Sequence, residues 1–152
     1  MICVGIDVAK DKHDCVILNS EGKILAGVFT IPNNADGFDT LLQKIRSCTS
    51  SDDKIKVGLE ATGHYSYNIL GFLINQGLPT YVINPLHTNL YRKSMSLRKT
   101  KTDRVDAKTI ATMLKFLDKL NWASNGRQLC YTLFESSALF SPFHTFGLTF
   151  NS

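Results

Sequence analysis

Ile2-Cys3-Val4-Gly5-Ile6-Asp7-Val8-Ala9 alternates along its whole length, with Ile2, Val4, Ile6 and Val8 on one side and Cys3, Gly5, Asp7 and Ala9 on the other. A period of two is the signature of a β-strand. This strand carries an acid inside it. Downstream, residues 15–18 and 23–31 are two further β-rich runs separated by Asn19-Ser20-Glu21-Gly22, which has the turn residues of a hairpin loop. The first three strands are therefore expected to run antiparallel. Asn33 or Asn34 can cap a helix in which Phe38, Leu41, Leu42 and Ile45 fall at i, i+3, i+4 and i+7, one apolar stripe against a sheet. Polar residues at 49–53 end it.

Ile55, Val57 and Leu59 alternate next and deliver Glu60 to the end of a fourth strand. Thr62 or Gly63 can then open a helix holding Ile69, Leu70, Phe72, Leu73 and Ile74, and Gly77 suits its C-terminal stop. Residues 78–84 read as a short strand with Pro79 near its start, and Asn84-Pro85 as a turn leading out of it into a basic connector. Thr102 is a good N-cap for a last helix reaching about Lys119, with Val105, Ile110, Met113, Leu114 and Leu117 on its apolar face. The expected order is βββαβαβ, connector, α. Residues 121–152 differ: their only charges are Arg127 and Glu135, they hold five of the nine phenylalanines, and no period closes a further element. The sequence thus divides into a domain at 1–120 and an irregular tail at 121–152.

A chain of 152 residues, 43% hydrophobic and 20% charged, suits one globular domain and excludes a wholly disordered tail, a collagen-like repeat or a disulfide miniprotein. No apolar run approaches the roughly 18 residues of a membrane span. The opening residues have no basic region and reach a carboxylate at Asp7, unlike a signal peptide, so a soluble, cytoplasmic protein with no membrane partner is expected. Cys3, Cys15, Cys48 and Cys130 show neither CxxC nor Cys/His ligand spacing, which favours reduced thiols over a zinc site.

The net charge of +4 is unevenly spread: residues 1–91 hold seven Lys/Arg against nine Asp/Glu, whereas residues 92–119 hold nine against three. Such concentration suits a polyanion-binding surface, although a solvated helix face gives the same pattern. Tyr91, Arg92, Lys93, Arg98, Lys99, Lys101 and Arg104 combine phosphate donors with one stacking ring, a set fitted to backbone contacts more than to base reading.

Four acids stand out. Asp7 lies inside the first strand, Glu60 ends the fourth, and Asp103 and Asp106 share one face of the last helix by their i, i+3 spacing. If the first and fourth strands are neighbours, Asp7 and Glu60 converge, and a helix on that face brings in the other pair. Carboxylates about 4 Å apart repel by roughly 4 kcal/mol at an effective dielectric near 20, so such a cluster needs protons or cations. Hard divalent ions suit all-oxygen ligands, and a pair of them can serve both the attacking and the leaving oxygen of a phosphodiester. Taken singly each acid also has a structural reading, since helix starts favour acids. His64, four residues after Glu60, reads mainly as a helix-start residue.

Gly5-Ile6-Asp7-Val8-Ala9-Lys10, Glu60-Ala61-Thr62-Gly63-His64-Tyr65, Asn84-Pro85, and Lys101-Thr102-Asp103 followed by Asp106-Ala107 and Ile110-Ala111 occur in this order over residues 1–120. In that order they resemble the DEDD-type transposases of bacterial insertion sequences, the insertion-sequence 110 family with the pilin-gene inverting recombinases. The resemblance implies an α/β, ribonuclease H-like (RuvC-like) domain built on a mixed five-stranded sheet flanked by helices. It implies that Asp7, Glu60, Asp103 and Asp106 are catalytic ligands of one or two Mg²⁺ or Mn²⁺ ions. It also implies double-stranded DNA as substrate, a structured guide RNA as partner, and a homo-oligomer in the full-length family. Family members continue through a coiled-coil linker into a second domain with a serine nucleophile; Ser136, Ser137 and Ser141 match nothing there. The tail is accordingly expected to be a truncation or frameshift product.

Two other readings stand beside this one. A catalytically silent remnant that binds nucleic acid shares every feature above. A sugar-kinase or actin-type phosphotransferase shares the strand order, but it needs a glycine-rich phosphate turn where this chain has Ala9-Lys10-Asp11-Lys12.

Overall fold

The computed structural model describes residues 1–60, 63–95, 104–117 and 131–132. Strands β1 (Ile2–Val8), β2 (Lys12–Asn19) and β3 (Ile24–Pro32) form an antiparallel meander. Asn19 makes the expected hairpin: its Oδ1 accepts from the backbone N–H of Glu21 at 3.0 Å and of Lys23 at 2.9 Å, while Gly22 takes φ 87°. A left-handed φ of this kind is open to glycine at little cost.

Helix α1 (Ala35–Ser47) follows, and of the two candidate caps it is Asn34 that serves, accepting from the Gly37 N–H at 2.9 Å. Strand β4 (Ile55–Glu60) then lies parallel to β1. A single 3-10 turn at Gly63–Tyr65 leads into α2 (Ser66–Asn75), and Gly77 leaves that helix at φ 72°, as its position foretells. Strand β5 (Thr80–Ile83) pairs parallel to β4.

Two elements depart from the sequence expectation. The first part of the supposed connector is a helix, α3 (Pro85–Met95). Asn84-Pro85 does turn the chain, but as a helix start: Asn84 Oδ1 accepts from the Leu86 N–H at 2.9 Å, and proline suits the first helical position because its missing N–H would have no partner there. The second departure lies in the tail, where Tyr131–Thr132 forms a short strand, β6, parallel to β5. Two residues are too few to leave a period in the sequence. Among the described residues the sheet therefore has six strands in the order β3-β2-β1-β4-β5-β6, five of them as expected.

Both faces of the sheet are covered. Ile2, Val4, Ile6, Cys15, Ile17, Val57 and Leu59 pack on Phe38, Leu41 and Ile45 of α1 and on Ile69 and Leu73 of α2. The opposite face takes α4 (Arg104–Leu117), whose Ile110 and Leu114 meet Cys3 and Ile83, and whose Ala107 and Ala111 meet Val16 and Leu18. Cys15 is a buried free thiol and Cys48 a half-buried one, and Cys3 is buried. Among the described residues no helix is long and apolar enough to cross a membrane.

Candidate functional site at the carboxyl ends of β1 and β4

The pairing of β1 with β4 sets Gly5 opposite Gly58 and Ile6 opposite Leu59. One step further, Asp7 and Glu60 come to the ends of adjacent parallel strands, about 4.8 Å apart along the sheet, on the face that α4 covers. Gly5 and Gly58 explain how a helix comes so close. A Cβ on Gly5 would strike the backbone carbonyl of Ala107 and would stand 2.6 Å from the Ala111 nitrogen, so only glycine admits the helix backbone there. At Gly58 a Cβ would meet only the Ile110 and Leu114 methyl groups, at 3.0 Å. The helix lying on this glycine pair carries Asp106 in its first turn.

Helix α3 closes the site from the side. Thr88, Tyr91 and Arg92 share its inner face by i, i+3, i+4 spacing. Arg92 Nη2 lies 2.6 Å from Asp106 Oδ1, tying α3 to α4. The Asp106 carboxylate and the Arg92 guanidinium act in opposite directions on Glu60. Burial, with the Asp106 charge adding to it, raises the Glu60 carboxyl above its ordinary value; the Arg92 charge and the neighbouring Thr88 hydroxyl offset part of that rise. The Thr88 hydroxyl nevertheless closes no hydrogen bond of good geometry, and neither do Arg92 Nε and Asp106 Oδ1, although all three atoms are buried. Burial also pushes the Tyr91 phenol up.

On the other flank, Asp7 faces Asp14 across the antiparallel pair, and Asp14 accepts a 2.6 Å hydrogen bond from the Thr30 hydroxyl. The Cys15 thiol is pushed up by burial and by the Asp14 and Asp7 charges. A thiol so placed is inert packing.

Of the predicted acids, Asp7, Glu60 and Asp106 share this end of the sheet, whereas Asp103 lies outside the described residues. Among the described residues no three His, Cys, Asp or Glu side chains form a ready metal cage. The donor set nevertheless suits a hard cation: it is all oxygen, the Asp106 charge bears on a Glu60 already raised by burial, and a guanidinium already sits against one of its members.

Of the predicted nucleic-acid contacts, Tyr91 and Arg92 are half-buried in α3 and Lys93 is exposed beside them. Arg104 begins α4, with its side chain outside the described residues, as are Arg98, Lys99 and Lys101. His64 sits exposed in the 3-10 turn, edge-on to Tyr67 at 5.9 Å. The sequence reading missed Thr88 and the Gly5–Gly58 bed. Thr88 was hidden because its helix was read as connector, while the glycine pair shows only once the register is known.

Residues 4–133 match the family model of IS110-type DEDD transposases, described as Transposase. The chain is similar to the pilin gene-inverting proteins of Moraxella lacunata and Moraxella bovis, at 32% identity over 109 residues in each case. That stretch is 71% of this chain and 32% of each relative, so the chain spans about a third of the length of the curated relatives it matches. Its fold is similar to that of T. thermophilus RuvC, solved in complex with a Holliday junction substrate, with a TM-score of 0.51 at 12% identity over 80% of this chain and 96% of that one. This likeness identifies the α/β fold as RuvC-like, that is, ribonuclease H-like.

Proposed function

Because the chain belongs to the IS110-type DEDD transposase family, we propose that it is the metal-binding, nucleic-acid-contacting domain of a DNA transposase or site-specific recombinase. The observation that carries this reading is the placing of Asp7 and Glu60 on adjacent strand ends, beneath a helix that lies on the Gly5–Gly58 pair and brings the Asp106 charge to bear on Glu60. Asp7, Glu60 and Asp106, with Asp103 as the expected fourth, are the residues that would hold Mg²⁺ or Mn²⁺. Bound there, the ion supplies a polarised phosphate oxygen and an activated nucleophile for phosphodiester exchange. The protein's part is to hold these carboxylates on a rigid sheet edge and helix, with α3 closing one side.

Double-stranded DNA is the proposed substrate, met by the basic run from Arg92 to Arg104. The structured guide RNA and the homo-oligomeric assembly rest on family membership alone. A phosphotransferase reading finds no support at the β1–β2 turn, where Ala9-Lys10-Asp11 offers no glycine to cradle a phosphate.

The test is thermal unfolding with and without Mg²⁺. Wild type is expected to melt higher in Mg²⁺, whereas Asp7→Asn loses this gain yet melts in EDTA at or above the wild-type temperature, because one repelling charge is gone. A Mg²⁺ gain that survives in Asp7→Asn would remove the acids from the site. A metal-bound protein that neither cleaves nor joins duplex DNA would favour the silent, nucleic-acid-binding remnant.

A further inference from the structure

The ion pair between α3 and α4 joins a proposed metal ligand to a cation that belongs to the protein. Arg92 Nη2 approaches Asp106 Oδ1 to 2.6 Å and its charge also acts on Glu60, so the guanidinium serves two acids that already repel each other. Its hold is electrostatic more than directional, because neither Arg92 Nε nor Asp106 Oδ1 completes a hydrogen bond. A well-formed arginine–carboxylate pair is bidentate and well aligned. This one is neither. The Arg92 side chain is 37% exposed, so it can turn outward about its own torsions while α3 stays in place. The next residue along the helix, Lys93, is exposed.

We propose that Arg92 is the resident counter-ion of the acid site: it neutralises Asp106 and Glu60 while no divalent ion is bound, and it must yield Asp106 when an ion enters. This inference rests on the reading of Asp7, Glu60 and Asp106 as an ion site. A divalent ion on the Asp106 carboxylate would stand within a few ångströms of the guanidinium on Oδ1, and the repulsion between these like charges sets ion entry against Arg92 pairing. The released guanidinium is then available to a nucleic-acid phosphate, for which its planar donor fork is suited. Ion loading thereby favours nucleic-acid binding, and by linkage nucleic-acid binding favours ion loading to the same degree.

Two measurements test it. By isothermal titration with Mn²⁺ at fixed ionic strength, Arg92→Gln is expected to bind roughly fivefold tighter than wild type, the range of a partly exposed ion pair acting as competitor. Arg92→Lys, which keeps the charge, stays near wild type, and melting in EDTA verifies that each variant is folded. Equal or weaker Mn²⁺ binding by folded Arg92→Gln would overturn the proposal, showing that Arg92 positions Asp106 for the ion. The second measurement needs no variant: phenylglyoxal modification of Arg92 in the wild-type chain, read by peptide mass, is expected to speed up severalfold on adding Mg²⁺. An unchanged rate overturns the proposal even if Arg92→Gln fails to fold. Absence of Mn²⁺ binding by wild type overturns the ion-site reading itself, and the proposal with it; binding that Asp106→Asn abolishes leaves that reading standing whatever Arg92 does.

Discussion

His13 is fully buried in β2 with its ring stacked on Phe38 at 6.1 Å, and burial lowers it below its ordinary value of 6.5. The unfolded chain therefore takes up a proton before the folded one does. Its contribution to stability is complete above pH 6.5 and is lost as pH falls from there toward the lowered value. Between pH 7 and 5 the wild type should lose more melting temperature than His13→Leu, and parallel slopes would assign the acid sensitivity elsewhere. Glu60 has the opposite sign. Its carboxyl is raised above the ordinary 4.5, so the folded state holds the proton longer, and the favourable contribution present below pH 4.5 is lost as pH rises through the raised value. Glu60→Gln should accordingly raise the neutral-pH melting temperature in EDTA by roughly a few degrees, the scale of about 1 kcal/mol in a domain of this size. The advantage should shrink in Mg²⁺, and a lower melting temperature in EDTA would show that the Arg92 attraction outweighs burial and Asp106.

Among the elements, α4 decides whether the acids assemble, and it lies where it does because two strands offer glycine at the same register. The two glycines are not equivalent. A methyl on Gly5 meets the α4 backbone, which cannot step aside without moving the helix, whereas a methyl on Gly58 meets side-chain ends. Gly5→Ala is expected to cost about 3 kcal/mol and to abolish the Mg²⁺ effect on melting; Gly58→Ala should cost less than about 1.5 kcal/mol and keep it. Denaturant unfolding of both variants checks this, and equal losses would mean that α4 floats on the sheet. Helix α3 is the element whose sequence misled: Asn84-Pro85 serves equally as a turn and as a helix start, and its polar, basic content hides the face made by Thr88, Tyr91 and Arg92.

For the whole molecule the governing feature is charge asymmetry, since the excess of Lys/Arg is confined to residues 92–119 while the body is slightly acidic. Each phosphate neutralised on duplex DNA adds about 0.9 to the slope of log affinity against log salt. Replacing Arg92, Lys93, Arg98, Lys99 and Lys101 together with Gln should flatten that slope by up to about 4.5 and weaken binding to different sequences alike. An unchanged slope would make the run a solvated surface. Residues 121–132 also bear on the domain's extent, because the family match runs to residue 133 and Tyr131–Thr132 pairs with β5.

The alternation of residues 2–8, the Asn19–Gly22 hairpin, the stripe of Phe38, Leu41 and Ile45 and the Gly77 stop were all legible in the sequence, because each is a local match of side-chain period or backbone freedom to one element. That Asp7, Glu60 and Asp106 lie at strand and helix ends was legible too, since such ends are visible without coordinates. Only the tertiary structure decided that β1 pairs with β4, that Gly5 and Gly58 coincide beneath α4, and that Arg92 turns inward onto Asp106 while neighbouring Lys93 stays exposed. Those facts depend on register and on which helix covers which face. They are set by contacts between residues far apart in the chain, and no local period carries them.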